Sequence, residues 1–79
     1  MPLDGVIRIF RDRRGGGKVV TAIVCLPPAE IKAVTADLKK LCGSGGAIKD
    51  GVVEIQGDHR EKVAARLETQ GYRCKLAGG

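Results

Sequence analysis

The run Lys39-Lys40-Leu41-Cys42-Gly43-Ser44-Gly45-Gly46-Ala47-Ile48-Lys49-Asp50-Gly51-Val52-Val53-Glu54-Ile55-Gln56-Gly57-Asp58-His59-Arg60 decides how this chain folds. It carries a basic helix end, a glycine-rich turn, a tight hairpin and the start of a second helix without interruption. Asp50-Gly51 separates Ala47-Ile48-Lys49 from Val52-Val53-Glu54-Ile55-Gln56. A two-residue type I′ turn needs positive φ at both central positions and favours this dipeptide, so a β-hairpin is expected there. Gly43 is expected to stop the preceding helix in the left-handed conformation. Asp58, followed three residues later by Glu61, reads as an acidic capping box and predicts a helix from Asp58.

Working outward toward the N-terminus, Ile31, Val34, Leu38 and Leu41 recur at spacings of three and four, the period of an amphipathic helix running from Glu30 to Gly43. Pro27-Pro28 stops the strand before it and favours the first helical turn. Residues 19–26 are apolar and β-branched almost throughout, as a central strand covered on both faces requires. Residues 5–11 alternate, with Ile7 and Ile9 on one side and Val6, Arg8 and Phe10 on the other. Between these strands, residues 11–18 hold four cations, one carboxylate and three consecutive glycines, and are expected to form a mobile loop.

Toward the C-terminus, a second helix over residues 58–70 offers Val63, Ala64 and Leu67 to a core and ends at Gly71. Residues 72–76 then form a last strand, with Tyr72, Cys74 and Leu76 on one face and Arg73 and Lys75 on the other. The order β-β-α-β-β-α-β predicts an α+β, two-layer α/β sandwich of the ferredoxin-like, split βαβ kind with an extra N-terminal strand. Its mixed sheet carries both helices on one face. The other sheet face is expected to show Glu54, Gln56, Arg73 and Lys75. A single domain over residues 1–79 is expected, with a thin core at this size.

Composition narrows the chemistry. The chain has no tryptophan, one phenylalanine and one tyrosine, so its core rests on Val, Ile, Leu and Ala. No apolar run reaches the ~20 residues needed to cross a bilayer, and the start lacks the pattern of a signal peptide, so a soluble, cytoplasmic monomer with no membrane partner is expected. Cys25, Cys42 and Cys74 are odd in number and widely spaced, which fits neither a disulfide framework nor a zinc site. Small buried residues in a reducing compartment is the plainer reading.

His59 is expected to face solvent. Ser44 is the only serine and has no histidine near it in sequence. The glycine runs lack the Walker spacing, and residues 43–46 open a strand where a nucleotide motif opens a helix. Acylphosphatases share this architecture but need an asparagine to place water, and the chain has none. No enzymatic activity and no cofactor or metal are expected.

With 14 basic and 9 acidic residues the chain carries +5, a field that favours an anionic partner. Arg11, Arg13, Arg14 and Lys18 crowd the first hairpin, and arginine forks bind phosphate oxygens two at a time. Lys39 and Lys40 also suit the negative end of the helix dipole, so part of their placement is structural. With Lys49 they are expected to gather around the glycine turn as a second basic patch. No stacking aromatics mark the strands, so recognition of the shape and backbone of folded RNA fits better than reading of single-stranded bases.

Lys39-Lys40-Leu-Cys42-Gly43-x-Gly45-Gly46-Ala-x-Lys49-x-Gly51-Val-Val-Glu54-Ile55-Gln56-Gly57-Asp58-x-Arg60 resembles the core signature of the eukaryotic translation initiation factor 1 family, the suppressor-of-initiation-codon domain, which includes archaeal homologues and bacterial YciH-type proteins. The likeness covers nearly the whole chain, through Lys75-Leu-Ala-Gly-Gly79. It implies a factor that binds the small ribosomal subunit near the peptidyl site and makes start-codon selection stringent. Residues 11–18, Lys39 and Lys40 would then lie against ribosomal RNA, with Lys49 and Arg60 as further RNA-binding residues. The initiator transfer RNA would be close by, and other initiation factors would be further partners.

A general structured-RNA or protein-interaction module that does not act on the ribosome is the alternative. Two departures stand out. The chain starts almost directly at the first strand, so contacts made by the N-terminal tail of many relatives are not expected, and Cys25-Leu26 stands where relatives often have Gly followed by an aliphatic residue, a change expected to matter little.

Overall fold

A computed structural model describes residues 5–14 and 17–76. The seven elements form in the expected order: β1 (Val6–Arg14), β2 (Lys18–Val24), α1 (Ile31–Cys42), β3 (Gly46–Lys49), β4 (Val52–Gln56), α2 (Arg60–Thr69) and β5 (Arg73–Leu76). One sheet runs β3-β4-β2-β1-β5. Among the described strands, β1 and β5 pair in parallel and the other pairs are antiparallel.

Register shows how the sequence makes two faces. Ile9 pairs with Ile23, and Ile23 with Val53, so these side chains and their i±2 neighbours Ile7 and Ile55 share one face. That face is buried against Val34 and Leu38 of α1 and Val63 and Leu67 of α2, which puts both helices on the same side. Burying each such Ile or Leu contributes roughly 1.5–3 kcal/mol. The Arg66 guanidinium links the helices by donating twice to Asp37, at 2.8 and 2.7 Å. No helix among the described residues is long and apolar enough to cross a membrane.

β2 is covered on both faces, as its composition requires. Val20, Ala22 and Val24 are buried although they point away from the helices. Ala22 lies between its cross-strand partners Phe10 and Glu54. The outer face otherwise carries Glu54, Gln56, Arg73 and Lys75, in agreement with the alternation.

The Asp50-Gly51 hairpin forms with Lys49 opposite Val52 and with φ of 50° and 79° at the two turn residues. Gly43 caps α1 at φ 61°. Gly46 serves a different purpose, because a Cβ there would come within 2.8 Å of both the Glu54 carbonyl oxygen and Ile55 Cδ1.

Three local expectations are corrected. The expected loop over residues 11–18 is mostly strand: β1 pairs with β2 out to Arg13 opposite Val19 and Arg14 opposite Lys18. Charged side chains at a sheet end can point to water while the backbone still pairs, so charge density alone did not end the strand. The expected mobility of the glycine run falls on residues 15–16, which lie outside the described residues.

The capping box does not form either. α2 begins at Arg60 after His59, with no side-chain cap bond, because the Asp58 carboxylate is taken by arginine. Cys25, finally, has φ 71°, a conformation that costs an L-residue roughly 1–2 kcal/mol, so a glycine at this position would matter.

Candidate nucleic-acid interface

At one end of the sheet the start of β2, the C-terminus of α1 and the N-terminus of α2 meet, held by hydrogen bonds between segments far apart in sequence. The Gly57 N–H donates to the Val19 carbonyl at 2.8 Å, and the Gln56 N–H to the Gly45 carbonyl at 2.9 Å. Thr21 is 0% exposed. Its hydroxyl donates to the Gly57 carbonyl at 2.7 Å and accepts the His59 N–H at 2.8 Å, fixing the corner from which α2 starts.

His59 is half-buried rather than solvent-facing. Its Nε2 lies 2.9 Å from the Gln56 carbonyl oxygen and 3.3 Å from Ser44 Oγ. A carbonyl only accepts, so this contact assigns the proton to Nε2. The nitrogen nearest Ser44 then has no lone pair to take the serine proton. The pair that sequence distance had separated does meet, but as a structural tie rather than as nucleophile and base.

Asp58 collects two of the candidate cations. It accepts from Arg60 at 3.0 and 3.4 Å and lies 3.9 Å from Arg11. The Arg60 hydrogen bonds hold its carboxyl below the usual aspartate range. An exposed pair of this kind is screened by solvent and contributes little to stability, so a phosphate can replace the carboxylate at little cost.

Arg11 and Arg13 alternate in phase with Ile7 and Ile9, on the helix side of the sheet. Arg13 donates its backbone N–H to Asp12 at 2.8 Å. Lys18 starts β2 on the outer side. Lys39 and Lys40 occupy the last turn of α1, and the stem of Lys39 passes over Gly46.

Arg11, Arg13, Arg14, Lys18, Lys39, Lys40 and Arg60 are thus brought to one end, where the carboxylates of the same segments are Asp12, Asp58 and Glu61, with Asp37 acting on Lys40. Lys49 is not brought there. It lies three residues beyond Gly46 along an extended strand, about 10 Å away, at the opposite end of the sheet.

Sequence reasoning missed Thr21, Asp58 and Gly46. Thr21 was visible as the one hydroxyl in an apolar strand, and Asp58 as a carboxylate two residues before an arginine. The close approach at Gly46 had no local signal.

Among the described residues no cluster of His, Cys, Asp and Glu could hold a metal ion. None of the three cysteines is in a disulfide. Burial pushes the Cys42 and Cys74 thiols up, away from the thiolate that a reactive cysteine needs.

The class is that of small α+β domains with one strongly cationic end. Comparison with known proteins narrows it to a family. The model of the family described as Translation initiation factor SUI1 matches residues 4–73. The chain is 51% identical to the uncharacterized protein YciH of Escherichia coli (strain K12), over 96% of this chain and 73% of that protein. It is 43% identical to a protein translation factor SUI1 homolog of Picrophilus torridus, over 90% and 75%. A SUI1 homolog of Thermoplasma volcanium is 40% identical over 89% and 73%. The chain belongs to the translation initiation factor SUI1 family.

Proposed function

We propose that the protein binds the small ribosomal subunit through its cationic end and makes start-codon selection stringent. The observation that supports this reading is the convergence of Arg11, Arg13, Arg14, Lys18, Lys39, Lys40 and Arg60 at one end of a chain of this family. Arginine forks and lysine ammonium groups on different segments engage phosphates of folded ribosomal RNA without reading base sequence. The hydrogen bonds of Thr21 and His59 hold these segments in fixed relation, so little ordering is lost on binding.

Anchored in this way, the rigid sheet occupies space close to the initiator transfer RNA. Correct codon pairing provides the energy to displace or accommodate the factor, and mismatched pairing does not. Archaeal relatives named as translation factor homologs lend weight to the same assignment.

Sedimentation with purified small subunits, with initiator transfer RNA as competitor, tests the reading. Co-sedimentation that weakens with salt and with the competitor is expected. Equal binding to any folded RNA, with no preference for the subunit, would favour a general RNA-binding module instead.

A further inference from the structure

The outer sheet face carries a second cationic strip that the proposed contact does not use. Parallel pairing sets Arg73 beside Val6 and Lys75 beside Arg8, with all four on the face turned away from the helices. Arg73 and Lys75 are exposed, and among the described residues neither side chain has an ion-pair or hydrogen-bond partner. Arg8 is half-buried and contributes a guanidinium whose NH1 is 3.9 Å from Cys25 Sγ. Among the described residues, the carboxylates of this face on β1 and β4, Asp12 and Glu54, sit in rows nearer the hairpin end or farther across the sheet. Glu68 acts on Cys74, whose side chain points to the helix side.

Arg73 and Lys75 lie two residues apart on a strand, about 6.6 Å, with Arg8 one strand away at roughly 5 Å. They flank half-buried Val6 and buried Val24, and this border has no exposed ring on which a base could stack. Such a strip suits a phosphate backbone rather than bases.

We propose that the β5–β1 border of the outer face is a second contact for the phosphate backbone of double-helical RNA, so that the protein bridges two RNA segments. The inference rests on the reading that the hairpin end holds RNA. The strip lies on the outer face, whereas Lys39 and Lys40 belong to α1 on the helix face, so one straight duplex laid on the strip does not also reach those two lysines.

The test uses the full chain and a labelled 20-base-pair RNA duplex, with anisotropy followed against potassium chloride for wild type, R73Q/K75Q, K39Q/K40Q and the combined variant. Circular dichroism confirms folding of each. Each double substitution is expected to lower the slope of log affinity against log salt by about 1.4–1.8, since each phosphate contact contributes roughly 0.7–0.9. Wild type is also expected to retain a second duplex on a biotinylated first, and R73Q/K75Q to lose that retention.

An unchanged slope in R73Q/K75Q beside a reduced one in K39Q/K40Q overturns the second contact and leaves the first intact. Unchanged slopes in both variants overturn both. If polyglutamate competes with the duplex for wild type as well as a polyphosphate of equal charge, and no longer does so for R73Q/K75Q, the strip serves an acidic protein surface and the RNA assignment fails.

Discussion

At the hairpin end of the sheet, Thr21, Ser44 and His59 tie the entry of α2 to β2 and to the turn after α1 within hydrogen-bond distance. At the opposite end, the chain turns through Cys25 at φ 71° and Asp50 at φ 50°. The first end holds its segments in place with buried polar contacts and carries most of the candidate cations. The second is shaped by backbone conformation and carries Lys49 apart from them. The difference teaches that charge count was a poor guide to the interface, whereas the ties between segments show which cations can act together.

The comparison breaks most readily at the hairpin tip. Replacing Arg11, Arg13, Arg14 and Lys18 by Ala is expected to weaken binding to the small subunit on the order of 10³-fold at 0.1 M salt. Lys49→Ala is expected to change the salt slope by less than about 0.2, since a cation outside the contact releases no counterions. Filter binding on both variants, with melting curves to confirm folding, checks the pair.

Gly46→Ala comes next, now in stability. The added methyl meets the Glu54 carbonyl oxygen and Ile55 Cδ1 at 2.8 Å and the Lys39 stem at 3.3 Å. Overpacking of this kind costs about 1–3 kcal/mol, read from denaturant midpoints, and a neutral result would mean that β3 is free to shift.

At the other end, Cys25→Gly relieves the left-handed strain but gives back chain entropy in the unfolded state. A net gain of roughly 0.5–1 kcal/mol is expected in the same measurement.

The smallest effect concerns the helix-to-helix tie. Hydrogen bonding from Arg66 holds the Asp37 carboxyl below its ordinary value of 3.8. A lowered folded-state pKa stabilises the fold above the unfolded value, and that contribution is lost as pH falls through the folded value. Asp37→Asn is therefore expected to lower stability slightly at pH 7, with the difference from wild type shrinking as the pH is taken down through the folded-state pKa, followed by thermal unfolding across a pH series.

Most of the fold was legible because its signals are local. The spacing of Ile31, Val34, Leu38 and Leu41, the stop at Gly43 and the Asp50-Gly51 turn each act within a few residues, and all three held. The extension of β1 to Arg14 was hidden because it depends on Val19 and Val20 across the ladder, not on the arginines themselves. The cap at Asp58 was misread because Arg60 competes for the same carboxylate. The cationic residues of the candidate site could be named from sequence, but their grouping could not. Thr21 and Gly57 meet across 36 residues, and that contact decides which segments share an end.

The central claim is that the cations of the hairpin end act as one phosphate-binding surface on the small ribosomal subunit. The most direct measurement is the salt dependence of subunit affinity for wild type and for the Arg11, Arg13, Arg14 and Lys18 quadruple variant. The slope is expected to fall by roughly 2.8–3.6 from wild type to the variant. Parallel lines for the two proteins, or a subunit that ignores the wild type at physiological salt, would contradict it.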